Sequence, residues 1–249
     1  MKTAIAKGLT VFVFCLALLA CNNEDHAPPL NVAVASNFRA TAMELAHAFR
    51  QQSGVEVRLS TGSTGKHYAQ IINGAPFDVF LAADTQRPSL LEGKELIQPN
   101  SRMTYAIGQL VLWSPDARLI TDNGVPNQGF AHLAIANPEL APYGLATQQT
   151  LQKLGLWDGM KSTVVRGENI AQVMQFLSSG NAQLGFVSAA QLIELGDQGS
   201  RWNVPSDLHD PIEQQAVQLS NHESAAAFMR FLVGKSAREI IARNGYLLP

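Results

Sequence analysis

Hydroxyls and glycines crowd one short stretch of this chain, Ser60-Thr61-Gly62-Ser63-Thr64-Gly65. An alternating run, Val55 to Leu59, leads into it. Apolar residues at helical spacing, Tyr68, Ile71 and Ile72, follow it and stop at Asn73-Gly74. The pattern predicts a strand, a donor-rich turn and a helix start. First-turn N–H groups have no intrahelical partner, and the helix dipole places about half a positive charge there, so the junction suits an anion. Glycine admits close approach of a ligand, while Ser63 and Thr64 add neutral donors. A phosphate-binding P-loop fails on two counts. Its first glycine would fall on Ser60, and His67 stands where that loop needs a magnesium-binding hydroxyl. A plain helix cap with a glycine turn is the alternative for this stretch taken alone.

The same construction recurs along the chain. Leu30 to Ala35 reads as a strand, followed by Ser36-Asn37 and a helix with Phe38, Ala42, Leu45, Ala46 and Phe49 on one face. His132 to Ala136 is a strand, and Pro142-Tyr143-Gly144 leads into a helix from about Leu145 to Leu154. Val164-Val165 is a short strand, and Gly167-Glu168-Asn169-Ile170 opens a helix over Ala171–Leu177. Unbroken apolar runs, Val79 to Ala83 and Leu184 to Val187, read as further strands, the first suited to a parallel sheet covered on both faces. Met103 to Trp113 reads as an extended crossing into a second domain, and Gln215 to Leu219 as the return. Ser114 to Gln128 and Asp197 to Pro211 read as loop, and two helices, Ser224–Val233 and Ala237–Arg243, close the chain. Alternating strands and helices argue for α/β architecture with mostly parallel sheets. Ligands of such sheets bind beyond the carboxyl ends of the strands. Two of the four donor-rich junctions lie in each half, which describes an anion held in a cleft.

Composition narrows the classes. The chain has 249 residues, enough for one large domain or two smaller ones, and 18 basic against 20 acidic residues give a net charge of −2. That balance argues against a nucleic-acid partner. At the N-terminus, Lys2 and Lys7 precede an apolar run, Leu9 to Ala20, too short to span a bilayer comfortably. It ends in Leu18-Leu19-Ala20-Cys21, which resembles a bacterial lipoprotein signal: residues 1–20 are removed, Cys21 is lipidated, and residues 21–29 form a tether ending in Pro28-Pro29. An ordinary secretory signal is the alternative. Cys21 is then the only mature cysteine, so no internal disulfide is expected.

No enzyme constellation emerges. The histidines at 26, 47, 67, 132, 209 and 222 show no HExxH spacing and have no cysteine partner for a metal. His67 neighbours the donor-rich stretch and is a candidate ligand contact. Neither Ser36 nor Ser63 lies in a GxSxG elbow, and neither is accompanied by a recognisable base and orienting acid. Asp78 and Asp84 are turn and cap residues.

Together, Val32 to Phe38, Ser60 to Gly65, Gly74 to Phe80, Ala134 to Pro138 with Pro142-Tyr143-Gly144, and Leu184 to Val187 occur in this order. In these motifs the chain resembles the molybdate-binding proteins of ModA type that serve bacterial ABC importers, over Leu30 to Pro249. The resemblance implies a two-lobed periplasmic binding protein fold of type II, with the ligand cleft between lobes. The first lobe would be 30–107 and 213–249, the second 108–212. It implies oxyanion ligands at Ser36 and Thr64, through hydroxyl and backbone N–H, and at Tyr143 and Ile170, through backbone N–H, with Asn37 and Ser63 adjoining. Ser188 stands where some members place a tyrosine hydroxyl. No cofactor is implied. The ligand would be molybdate or tungstate, the partners the importer's permease and ATPase subunits, and the setting the periplasm, as a lipid-anchored monomer.

The chemistry of the residues agrees with such a ligand. A tetrahedral dianion that stays deprotonated at neutral pH needs donors and no acceptors. Hydroxyls and helix-start amides supply these without a buried countercharge. Sulfate obeys the same rule. Lys66, a cation beside the donors, is the residue that fits least well.

Overall fold

The computed structural model describes residues 28–121, 124–126, 129–193, 195–196 and 198–249; the expected signal segment and Cys21 lie outside them. Strand β1 (Leu30–Ala35) ends in a single 3-10 turn, Ser36–Phe38, which runs into α1 (Arg39–Ser53). Ala42, Leu45 and Phe49 form the buried stripe of α1, and Gly54 ends it in the left-handed region at φ 75°. Then come β2 (Val57–Gly62), α2 (Thr64–Ile72), β3 (Val79–Leu81), α3 (Gln86–Gly93) and β4 (Met103–Gly108).

After Gln109 the chain enters a second unit with β5 (Leu110–Ser114), β6 (Leu133–Ala136), α4 (Pro142–Lys153) and the short α5 (Trp157–Met160). It continues through β7 (Val164–Gly167), α6 (Ile170–Ser178), β8 (Leu184–Ser188), α7 (Ala189–Ile193) and β9 (Ser200–Asn203). A 3-10 turn, Ser206–Leu208, precedes the return strand β10 (Ile212–Gln218), and α8 (Glu223–Leu232) and α9 (Lys235–Arg243) follow.

Two five-stranded sheets result, ordered β2-β1-β3-β10-β4 and β7-β6-β8-β5-β9. In each, four strands run one way and one opposes them: β10 in the first sheet, β5 in the second. The opposing strand is in both cases the one by which the chain enters after crossing. The parallel majority points its carboxyl ends, and the helices that start there, at one region.

Each sheet has its own core. Leu30, Val32 and Val34 of β1 pack with Phe38, Leu45, Phe49, Phe228 and Ile241, while Ala33, Phe80, Leu91 and Val217 fill the opposite face. In the second sheet Leu112, Leu133, Ile135, Leu184 and Phe186 pack with Leu151, Val173 and Leu177.

Several elements depart from the expected bounds. Strand β2 runs on through Ser60-Thr61-Gly62, paired in parallel with Ala33, Val34 and Ala35, so half of the donor-rich stretch is strand. Helix α4 begins at Pro142 rather than near Leu145, because proline's missing N–H costs nothing at a first helical position. The expected loop after residue 197 contains β9, an edge strand paired with β5; one large apolar residue, Trp202, is too weak an alternation to read. Among the described residues, no helix is long and apolar enough to cross a membrane.

Candidate functional site

The starts of α2, α4 and α6 share one feature: most first-turn donors are taken, and a few are left. At α2, Ser63 is the N-cap, its Oγ accepting from the Lys66 N–H at 3.3 Å. The Gly65 N–H donates to the Leu140 carbonyl at 2.8 Å. At α6, Asn169 Oδ1 accepts from the Ala171 N–H at 2.9 Å and the Gln172 N–H at 3.3 Å. At α4, Pro142 has no N–H, and the Gly144 N–H goes to the Ala141 carbonyl at 2.9 Å. What remains is one amide per helix. No side chain and no loop carbonyl among the described residues takes the N–H of Thr64, Tyr143 or Ile170.

Two hydroxyls join these amides. Thr64 Oγ1 accepts from the Ala83 N–H at 3.1 Å, which leaves its own proton to donate. The Ser36 hydroxyl, buried in the turn after β1, has no protein partner among the described residues.

Contacts between the two units bring these groups together. The Gly65–Leu140 bond joins the start of α2 to the loop before α4, so close that a Cβ on Gly65 would meet the Leu140 backbone at 3.1 Å. Lys66 Nζ lies 3.0 Å from Glu168 Oε1, joining α2 to the start of α6. Arg87 pairs with Asp84 and donates to the Glu139 carbonyl at 2.6 Å. Ser36 and Asn37 line one cavity of about 180 Å³ with Ala171, Gln191 and the exposed Arg39. Thus all four junctions meet, and the two carboxylates in these contacts, Asp84 and Glu168, each hold a cation.

The remaining candidates have partners of their own. Asn37 Nδ2 donates to Gln214 Oε1 at 3.0 Å and to the Tyr246 hydroxyl at 3.2 Å, so its side chain is committed to the protein. Ser188 caps α7 through Gln191, 3.2 Å from its hydroxyl, and Gln191 Nε2 in turn donates to the Ile170 carbonyl at 3.1 Å. The Lys66 charge, the feature least compatible with a neutral-donor site, is engaged by Glu168. That pairing links distant segments and has no local signature; nor do the roles of Leu140, Gln214 and Tyr246.

His67 is held inside the first unit. Its Nε2 lies 3.2 Å from the Val34 carbonyl, its Nδ1 3.0 Å from Gln70 Oε1, and Phe77 and Phe80 stand edge-on to the ring. Burial pushes its pKa below 6.5, and the neighbouring Lys66 charge acts in the same direction.

The family of bacterial extracellular solute-binding proteins matches residues 30–247. The molybdate-binding protein ModA of Azotobacter vinelandii is 46% identical over 92% of this chain and 93% of its own length. That of Rhodobacter capsulatus is 42% identical over 86% of each. The solved structure of the A. vinelandii periplasmic molybdate-binding protein matches with a TM-score of 0.86, covering 88% of this chain and 99% of that one at 42% identity. The chain belongs to the bacterial extracellular solute-binding proteins, and among them to the ModA type. Its sheets and crossings are the two-lobed fold of that class, shared also by the sulfate-binding protein SubI of Mycobacterium tuberculosis at a TM-score of 0.73 and 13% identity.

His67 sets a pH dependence. Below about pH 6.5 an unfolded histidine takes up a proton that the buried ring resists, so folding stability is full above that pH and falls as the pH drops beneath it. One group accounts for at most about 1.4 kcal/mol per pH unit. Urea unfolding at pH 7.5, 6.0 and 5.0 should show a smaller acid loss in His67→Gln than in the wild type; an identical loss in both would contradict this assignment.

Proposed function

We propose that this chain is an extracytoplasmic receptor that holds molybdate, and tungstate likewise, between two lobes and delivers it to the permease and ATPase subunits of an ABC importer. The observation that carries the reading is the set of untaken donors: the amides of Thr64, Tyr143 and Ile170 and the hydroxyls of Ser36 and Thr64. Ser63 and Asn37 support that set from beneath, Ser63 as the cap of α2 and Asn37 through Gln214. The lobes are residues 30–107 with 213–249, and 108–212. A tetrahedral dianion meets the donors of both lobes only when they close, so ligand shifts the population towards the closed form.

Sulfate is the second reading, because the same donors suit it and SubI shares the fold. Identity to the ModA proteins favours molybdate. The named relatives are binding proteins, and among the described residues no histidine ring nitrogen bonds to Ser36 or Ser63: that of His67 goes to Val34 and Gln70. A serine nucleophile would lack its base. The Leu18-Leu19-Ala20-Cys21 pattern supports a protein tied to the membrane by lipid on Cys21. Cys21→Ser should then move the protein out of the membrane fraction; equal fatty-acid labelling of wild type and variant would contradict the anchor.

Calorimetric titration with molybdate, tungstate, sulfate and phosphate tests the ligand. Ser36→Ala and Thr64→Ala each remove a charge-assisted hydrogen bond and should weaken molybdate binding about ten- to a hundredfold. Ile170→Val keeps its amide and should bind nearly as wild type. Lys66→Ala should have a small, salt-sensitive effect. Loss of binding in Lys66→Ala with full binding in Ser36→Ala and Thr64→Ala would make the pocket cation-based and the reading wrong.

A further inference from the structure

Both crossings pass a buried cluster of three phenols and two amides. At its centre is Gln214, fully buried in β10 where the strand's register shifts between Gln214 and Gln215. Such a bulge turns a side chain away from the regular alternation. Gln214 Oε1 accepts from Asn37 Nδ2 at 3.0 Å and from the Tyr105 hydroxyl at 3.2 Å; its Nε2 donates to the Tyr143 hydroxyl at 3.5 Å. The Tyr246 hydroxyl completes the set, donating to the Asn37 carbonyl at 2.7 Å. Burial pushes the Tyr105 and Tyr143 phenols up, so both stay neutral.

Tyr143 reaches this cluster from the second lobe. Its ring leaves the first turn of α4 and ends against Gly108, where a Cβ would stand 2.2 Å from the phenol oxygen. Its hydroxyl therefore touches both crossing strands, β4 at Gly108 and β10 at Gln214. The backbone of the same residue carries one of the untaken amides, and Asn37 directly follows Ser36.

We infer that Gln214 is a positioning residue for anion capture: it ties Asn37 of one lobe to Tyr143 of the other and so sets the spacing between the Ser36 and Tyr143 donors. This rests on the reading of the cleft as an oxyanion site. Moving Tyr143 away on opening strips the Gln214 amide of a partner inside a buried cluster, where an unmet donor is costly. The bond thus biases the hinge towards the geometry in which the donors meet one anion.

The test is stopped-flow dissociation and calorimetry with molybdate on the wild type, Gln214→Leu, Tyr143→Phe, the double variant and Gly108→Ala. Gln214→Leu and Tyr143→Phe should each raise the dissociation constant about three- to tenfold, mostly through faster release. The double variant should be no weaker than the weaker single one, because both remove the same link. Gly108→Ala puts a Cβ 2.2 Å from the phenol oxygen and 3.0 Å from Gln214 Nε2, so it disturbs the same contact from the β4 side and should also speed release. If Gln214→Leu does not fold, Tyr143→Phe and Gly108→Ala carry the test. A brace without a role in capture would lower the melting temperature and leave release rates unchanged; that result, or fully additive single effects, overturns the inference. A wild type that binds none of molybdate, tungstate and sulfate overturns the oxyanion reading and the coupling with it, whereas normal wild-type binding with unchanged variants overturns the coupling alone.

Discussion

A buried N–H without an acceptor is the constraint on which this molecule turns. Helix starts always carry such groups, and proteins normally cap them. Here capping is selective. Ser63, Asn169 and the Leu140 carbonyl take the neighbours of the free amides and stop short of Thr64 and Ile170. Each buried donor left unmet costs about 1–3 kcal/mol, so an acceptor placed between the lobes would be favoured. In the proposed function, a dianion with no proton to donate is the acceptor for all of them together.

The fold supplies the directions. Four strands in each sheet run the same way, and the three helix starts and the Ser36 turn follow strands that end at the cleft. The full charges in the side-chain contacts that join the lobes are paired with one another. Lys66 and Glu168 neutralise each other across the opening, about half exposed, where such a pair contributes little stability. Their value is in placement: a free lysine at the mouth would favour any anion, whereas fixed neutral donors select by geometry and protonation.

Much of this was legible from local signals, and what was not has identifiable physical causes. The junctions at Ser36, Thr64, Tyr143 and Ile170 are visible because hydroxyl, glycine and proline signals sit beside strong strand and helix periodicity. The boundaries shifted where two roles overlap, as in Ser60-Thr61-Gly62, which pairs as strand although its composition reads as turn. Strand β9 was hidden because an edge strand needs few apolar residues. Pairings between distant segments leave no mark in either segment. Nothing near Lys66 announces Glu168, nothing near Asn37 announces Gln214 or Tyr246, and nothing around His67 says that the Val34 carbonyl holds its ring.

The central claim is that neutral donors from both lobes hold one anion, and an anomalous difference map from crystals grown with molybdate tests it most directly. The account predicts a single molybdenum peak whose oxygens lie within hydrogen-bond distance, roughly 2.7–3.2 Å, of the Ser36 and Thr64 hydroxyls and the Thr64, Tyr143 and Ile170 amides, with Lys66 still paired to Glu168. A peak elsewhere, or one with the Lys66 ammonium turned onto the anion, would contradict it.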